Sequence, residues 1–215
     1  MKNSVCLFLL FFFLSVHTSA QQVSFGPSAG IGHSFFRYKD DMGLESKFHA
    51  SYTVGVILGY KMNSHWLITG GVNFSREGGT VGQRLMNDQN EYIYRLNYIR
   101  VPLNAQYIFG NPSEIYRPFV SLGPSMGFLT GGRSNSEVNG EAWESATSTD
   151  LFTSLDVGMN VSAGMRVRIG KESYLNGAFN YYHGFSNIFE SAPIEIRNRA
   201  IGIEFAMFFP LPRIN

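Results

Sequence analysis

The sequence predicts an all-β protein, an eight-stranded antiparallel up-and-down transmembrane β-barrel. Three observations support this fold class. Apolar residues alternate with small or polar residues along eight segments, long polar stretches alternate with short turns between these segments, and the composition is unusual for a soluble globule. Of 215 residues, 15% are aromatic and only 15% are charged, with 23 glycines, whereas an average soluble domain has about 25% charged residues.

The first twenty residues have the pattern of a secretory signal peptide. Lys2 precedes an unbroken apolar run, Cys6–Leu14, and small residues end the segment at Ala20. The apolar run is shorter than the roughly 20 residues that a membrane-spanning helix needs, so we expect cleavage after Ala20 rather than an N-terminal anchor. The predicted organisation is therefore a signal peptide, residues 1–20, followed by a single barrel domain, residues 21–215.

The charge and cysteine content exclude several classes of protein. Seventeen basic and sixteen acidic residues give a net charge of +1, and loss of Lys2 with the leader brings it to zero. A nucleic-acid binder normally has a basic face or stripe. The single cysteine, Cys6, lies in the leader, so the mature chain lacks a disulfide framework and a cysteine-built metal site. His33, His49 and His65 lie far apart in the predicted topology, and we expect no metal and no cofactor.

The alternation of residue types is clearest between Leu151 and Ile169. Odd positions there are almost all apolar, and even positions are mostly small or polar. A helical period of 3.6 residues cannot produce this split. The same period of two recurs in seven further segments. The eight predicted strands are residues 23–35, 52–60, 66–75, 99–109, 120–128, 151–169, 175–181 and 201–209.

Short and long connections alternate between the predicted strands. The short spacers are 61–65, 110–116 and 170–173, and the long polar ones are 37–51, 77–91, 131–150 and 184–196. In outer-membrane barrels the short turns face the periplasm and the longer loops face outward. An even number of strands then puts both termini in the periplasm. Residues 135–148, rich in Ser, Asn, Thr and Glu, are expected to form a flexible external loop.

The second face of each strand distinguishes a membrane barrel from a soluble or periplasmic ligand-binding barrel, which is the alternative. A soluble barrel would carry Lys, Glu and Thr outside, but here the second face is mostly Gly, Ser, Asn and Ala. Small residues suit the interior of a narrow eight-stranded cylinder, so the bulky apolar residues face lipid. Aromatic residues gather at strand ends, as in the belts at membrane boundaries. The predicted belts contain Tyr60, Trp66, Tyr107, Phe109 and Phe209 at the periplasmic rim, and Tyr52, Phe74, Phe128 and Tyr181 at the external rim.

Five charged residues fall on the predicted lumen face: Arg100, Asp156, Arg166, Arg168 and Glu204. An unpaired buried charge costs several kcal/mol, so we expect these side chains to be paired and hydrogen-bonded. They form either a path for a solute or proton, or a polar plug that braces a filled lumen. Eight strands leave no aqueous channel, which favours the structural plug.

His183, Ser186 and Glu190 near the external rim have the residue types of a nucleophilic triad. Lipid A deacylases of the outer membrane use such residues on a barrel wall, so a lipid-modifying enzyme is a third interpretation. Ser and Glu are common in loops, however, and the motif evidence for catalysis is weak. We therefore expect a protein that is not an enzyme.

Three segments resemble motifs of the PorT-like outer-membrane β-barrel proteins of Bacteroidetes. Residues 97–107 (NYIRVPLNAQY) are similar to the family's YIEIPLLLKY strand, residues 117–124 (RPFVSLGP) to its PYVGAGP strand, and residues 182–188 (YHGFSNI) to its Y..GLTNI element. The chain departs from the family at Arg100, where an acidic residue is usual, and in residues 210–215, which extend past the terminal aromatic residue. The resemblance implies an outer-membrane barrel, and the family's founding member is associated with protein secretion and gliding.

These observations together predict an integral protein of the bacterial outer membrane with a structural or interaction role through its external loops. The resemblance adds a link to protein secretion. The expected partners are outer-membrane lipid and other envelope proteins, with no nucleic acid among them, and the expected state is a monomer.

Overall fold

Almost all of the chain that the computed structural model describes is β-strand. It describes residues 23–38, 44–85, 88–138, 141–147, 151–189 and 195–211. Among these residues, no helix is both long enough and apolar enough to cross a membrane. The described residues form ten strands: β1 (Val23–Tyr38), β2 (Leu44–Lys47), β3 (His49–Lys61), β4 (Trp66–Leu85), β5 (Asp88–Ile108), β6 (Tyr116–Val138), β7 (Glu141–Thr147), β8 (Leu155–Arg168), β9 (Tyr174–Gly184) and β10 (Ile196–Pro210).

Eight of these strands close into an antiparallel barrel. Their order around the barrel is β1, β3, β4, β5, β6, β8, β9 and β10, and β10 pairs again with β1. The two short strands lie outside this ring, where β2 pairs with β4 and β7 pairs with β6. Closure leaves none of the eight barrel strands with a free edge, as a bilayer requires. The predicted eight-stranded antiparallel barrel is confirmed.

The barrel is apolar outside and polar inside. On its outer face Val56 is 60% exposed and Leu103 is 55% exposed, whereas Ser125 and Asp156 inside are 1% and 0% exposed. A soluble barrel has the opposite arrangement, because its apolar side chains form the core. The large exposed apolar band is the surface that lipid covers in a transmembrane barrel.

The external hairpins are longer and more regular than the polar composition of these segments suggests. β4 continues to Leu85 and β5 begins at Asp88, so most of the predicted loop 77–91 is paired strand. Likewise β6 extends to Val138 and is followed by β7, so the prediction of a loop over residues 135–148 is wrong for most of that stretch. The sequences of these extensions lack the regular apolar alternation that marks the barrel strands, as expected for strands outside the membrane.

The predicted strand 151–169 begins later than expected, at Leu155. Phe152 is 4% exposed and turns into the loop end of the barrel, where it forms an isolated bridge with Phe189. The apolar residues Leu151 and Phe152 thus lengthen the predicted strand, but in the structure they pack inside the loop end of the barrel and do not continue β8.

Each of three prolines interrupts one ladder and leaves the other intact. The pairing of β1 with β10 skips Pro27, that of β4 with β5 skips Pro102, and that of β5 with β6 skips Pro124. Each proline remains paired with the neighbouring strand on its other side. Proline has no N–H to donate to a ladder. The ladder hydrogen bonds are therefore lost on one side of each proline, while pairing on the other side keeps the barrel closed.

Candidate functional site in the barrel lumen

The lumen is filled in layers. A loop-end cluster closes the side of the long hairpins, and a turn-end cluster closes the opposite side. Tyr38, at the end of β1, packs against the loop-end cluster. Its burial and, to a smaller extent, its electrostatic interaction with Tyr94 raise the pKa of the Tyr38 phenol. The loop-end cluster contains Phe36, Leu96, Tyr98, Phe152, Ile188 and Ile196, and the turn-end cluster contains Leu67, Ile108, Phe119, Ala206 and Phe208.

Below the loop-end cluster lies a buried ion network of Glu77, Arg100, Asp156 and Asn198. The Arg100 Nη2 atom is 2.6 Å from Glu77 Oε2 and 2.7 Å from Asp156 Oδ2, and Arg100 Nε donates to Glu77 Oε1. All four side chains are buried. One guanidinium therefore joins two carboxylates that come from distant strands, β4 and β8.

Neutral donors offset the excess negative charge of the ion network. Ser75 Oγ donates to Glu77 Oε1 at 2.6 Å, and Ser186 Oγ donates to Asp156 Oδ1 at 3.0 Å. The Asn198 amide donates to both carboxylates, at 3.3 Å in the case of Asp156 Oδ2. Hydrogen bonds to a carboxylate stabilise its charged form, so these donors support two carboxylates around a single cation.

Two aromatic rings flank the Arg100 guanidinium. Its central carbon lies 4.1 Å from the ring centre of Tyr182 and 5.0 Å from that of Tyr98. The negative faces of aromatic rings attract such a cation, more strongly where water is excluded. The network and its aromatic neighbours therefore fix one side-chain arrangement across the barrel.

A cavity of about 110 Å³ lies beside the network, and its polar lining residues include Asn104, Ser125, Asn180 and Glu204. Ser125 Oγ and Asn104 Oδ1 are buried and have no protein partner in the part of the chain that the structure describes. Since each water occupies about 30 Å³ in the liquid, the cavity has room for roughly three ordered waters.

The five charged residues predicted to share the lumen lie in different places. Arg100 and Asp156 meet in the ion network, whereas Glu204 lies apart and accepts a hydrogen bond from Asn180 Nδ2 at 3.0 Å. Arg166 lies at the turn end, donates to Asn176 Oδ1 at 2.9 Å and contacts the rings of Tyr174 and Phe208. Arg168 is half-buried and donates to the carbonyl of Ser113 in the neighbouring turn. The structure thus joins two of the five and separates the other three.

Sequence reasoning missed Glu77 and Asn198. Glu77 falls at the first position of a predicted loop, yet it lies two residues beyond the inward-facing Ser75 and shares its face. Asn198 continues the inward face of β10 in the same way, six residues before Glu204. Continuing the alternation of inward and outward residues beyond the apolar parts of β4 and β10 predicts that both side chains lie in the lumen.

The comparison with protein families settles the class of this barrel. A family model for the outer membrane protein β-barrel domain matches residues 19–190. The chain belongs to this family. Membership assigns this outer-membrane barrel to the bacterial outer membrane. No curated protein matches the chain.

Solved structures of other outer-membrane barrels resemble this one. OprG from Pseudomonas aeruginosa is 11% identical, with a TM-score of 0.51, and the alignment covers 88% of this chain and 95% of that chain. Neisserial surface protein A is 13% identical with a TM-score of 0.48, covering 88% and 99% of the two chains. Outer membrane protein W from E. coli is 14% identical with a TM-score of 0.45, covering 86% and 97%. At such identities the likeness to OprG concerns the fold alone.

The residues considered for a nucleophilic triad have other partners in this outer-membrane barrel. The Ser186 hydroxyl donates to Asp156 and accepts a hydrogen bond from the Val157 amide at 2.8 Å. The His183 ring nitrogen Nδ1 lies 3.4 Å from the hydroxyl oxygen of Tyr181. Within the described residues no hydrogen bond joins His183 to Ser186, and Glu190 lies outside them. The Ser186 hydroxyl, which donates its hydrogen bond to the Asp156 carboxylate, stabilises the turn after β9.

Proposed function

We propose that this outer-membrane barrel is a structural or interaction protein that presents an external sheet to partners in the cell envelope, and that it is neither a channel nor an enzyme. The observation that carries the proposal is the continuation of the strands beyond the barrel. There the described strands form a five-stranded sheet in the order β2, β4, β5, β6, β7. We call it the external sheet.

The external sheet extends far from the membrane. From Gly78 to Leu85, β4 remains paired with β5, and the rise of about 3.3 Å per residue makes this part roughly 25 Å long. β6 exchanges its partner β8 for β7 at the same end of the barrel. Such a sheet is a larger and more regular surface than a set of short loops.

One edge of the external sheet is open among the described residues, since β7 pairs only with β6 there. An open edge presents unpaired N–H and C=O groups to which an extended segment of another protein can add as a further strand. We therefore propose strand addition at β7 as the mode of partner binding.

Shortening the external sheet is expected to abolish partner binding without unfolding the barrel. One variant replaces residues 135–146 with a short Gly-Ser linker, and a control variant replaces the turn 170–172 at the opposite end. Crosslinking in native membranes, followed by mass spectrometry, should recover an envelope protein with the full chain and the control but not with the shortened sheet. Equal recovery with the shortened sheet would contradict the proposal.

The proposal also covers how this protein reaches the outer membrane and a role in protein secretion. We propose that a signal peptide is removed after Ala20, which N-terminal sequencing of the protein from outer membranes would test. A PorT-like role linked to protein secretion is supported by the motif resemblance at residues 97–107, 117–124 and 182–188. Loss of a secreted protein from the medium of a deletion strain, restored by the full chain, would support that role.

The filled lumen predicts that Glu204→Ala lowers thermal stability and leaves ion conductance unchanged. The substitution removes the acceptor of the Asn180 amide and enlarges the cavity, which should cost about 1–3 kcal/mol. Unfolding followed by gel mobility would measure the stability, and planar bilayer recording would measure conductance. Glu172→Ala, in the exposed turn at residues 170–173, is the matched control. Conductance steps that appear with Glu204→Ala would show that Glu204 blocks a pore.

A further inference from the structure

Arginines lie at the loop-end rim on five of the eight barrel strands, and all of them except the 8% exposed Arg199 are at least partly exposed. On β1, β4 and β10, the first outward-facing residue beyond the last apolar one is Arg37, Arg76 and Arg199, respectively. On β5 and β6, Arg95 and Arg133 occupy the same zone one outward position further along. We call this set the arginine girdle, and its members are Arg37, Arg76, Arg95, Arg133, Arg197 and Arg199.

The strand register puts two pairs of these arginines directly opposite each other. Arg95 on β5 is opposite Arg133 on β6, and Arg37 on β1 is opposite Arg197 on β10. Like charges in such positions destabilise a sheet. An anion that contacts both members of a pair would remove this repulsion.

Among the described residues, two members of the girdle have partners within the protein. Arg197 Nη2 is 3.1 Å from Glu195 Oε2, and Arg199 donates to the carbonyl of Gly184. In the described part of the chain, Arg37, Arg76, Arg95 and Arg133 make neither an ion pair nor a hydrogen bond through their side chains. These four guanidinium groups thus have no side-chain partner among the described residues that would compete with an external anion.

Arginines at the opposite rim are used differently. Arg117 donates to the backbone carbonyls of Ser64, Ile108, Phe109 and Gly110, at 2.9 to 3.2 Å. Arg168 likewise donates to the backbone of a turn. Only the loop-end rim combines an apolar, lipid-facing band with arginines that have no internal partner among the described residues.

We propose that the arginine girdle binds phosphate groups of lipids in the outer leaflet of the outer membrane. The girdle begins where the lipid-facing band ends, which is the level of lipid headgroups. A guanidinium group binds phosphate through two parallel N–H donors, and its charge-assisted hydrogen bonds are stronger than neutral ones. A phosphate between Arg95 and Arg133 would neutralise the repulsion across β5 and β6 while the acyl chains lie against the apolar band below.

The test compares lipid A carrying two phosphates with the same lipid A after dephosphorylation. The purified full chain is reconstituted in phosphatidylcholine nanodiscs, and the bound lipid is measured by native mass spectrometry. We expect the phosphorylated form to bind at least tenfold more tightly. The double variant Arg95→Gln/Arg133→Gln should lose about tenfold in affinity, whereas Lys61→Gln/Lys171→Gln, which removes two exposed cations at the opposite rim, should bind as the wild type does.

Folding and competing ligands are controlled in the same experiment. Heat-modifiable gel mobility establishes that each variant is folded, and Arg37→Gln/Arg197→Gln provides a second pair on the far side of the barrel. Inorganic phosphate at millimolar concentration should not displace the lipid. Equal binding of the two lipid forms, unchanged binding by both arginine variants, or displacement by inorganic phosphate would each overturn the proposal. The proposal would also be overturned if the girdle variants lost a bound envelope protein but still bound lipid A as the wild type does.

Discussion

Replacing Arg100 with methionine is expected to destabilise the barrel by about 3–5 kcal/mol, because the carboxylates of Glu77 and Asp156 would remain buried without their cation. Both carboxylates lie within 2.7 Å of the guanidinium, and neither has access to water at the surface. Methionine retains much of the side-chain volume, so the loss is due to charge rather than to packing. The free energy of unfolding, measured by urea titration in detergent micelles, would show the effect.

A charge-matched variant separates the cost of a broken network from the contribution of the network itself. The triple substitution Glu77→Gln/Arg100→Met/Asp156→Asn removes all three charges and keeps similar shapes. Replacing a buried ion pair by well-packed hydrophobic residues of similar volume is often nearly neutral, whereas removing one partner is strongly destabilising. Gln and Asn here also keep a side-chain oxygen that can accept from Ser75 and Ser186, respectively. The triple variant should therefore recover most of the stability lost in Arg100→Met. If Arg100→Met alone is as stable as the triple variant, the three charges are not coupled as the geometry indicates.

The sequence predicts the barrel well because the membrane imposes the same requirement on every strand. Each crossing needs an apolar face for lipid, and the narrow lumen needs small residues, so a period of two repeats eight times. Outside the membrane this requirement ends. The sequences beyond Glu77 and Gly131 are mostly polar or small, and local composition of this kind does not distinguish strands from loops.

The lumen is less predictable than the wall, because its contacts join residues far apart in the chain. The period of two puts Arg100 and Asp156 inside, but it does not show that Arg100 also meets Glu77 or that Asn198 bridges both carboxylates. Those contacts depend on the relative heights of the strands around the barrel, which the register determines. For the same reason Glu204 and Arg166, on correctly assigned inner faces, lie at other levels.

The low net charge of the chain conceals a strong separation of charge. Two carboxylates are buried in the ion network, while several arginines lie outside at the loop-end rim. A total near zero is thus compatible with local clusters of like charge, such as the arginine girdle. Charge distribution, and not net charge, is the quantity from which lipid and protein partners should be inferred.

Gly123→Ala is expected to destabilise the barrel by about 1–3 kcal/mol, in the range for overpacking of a filled interior. Gly123 faces the lumen beside Pro124, where β5 and β6 approach closely. A Cβ atom there would lie 2.0 Å from the carbonyl oxygen of Leu103 and 2.6 Å from the Cα atom of Asn104. Both are backbone atoms, so relief of the clash requires two strands to move apart.

Gly70→Ala is the matched control, because Gly70 lies on the other side of the same β5 segment. A Cβ atom at Gly70 would come no nearer than 3.8 Å to any atom, which is ordinary van der Waals contact. Its stability should be unchanged or slightly higher, since alanine restricts the unfolded chain more than glycine does. Equal losses at both positions in urea titrations would mean that glycine is needed throughout the wall for strand curvature. A loss confined to Gly123→Ala would mean that close approach of β5 and β6 is what requires a residue without a side chain, and would connect the glycine content of the sequence to the narrow lumen.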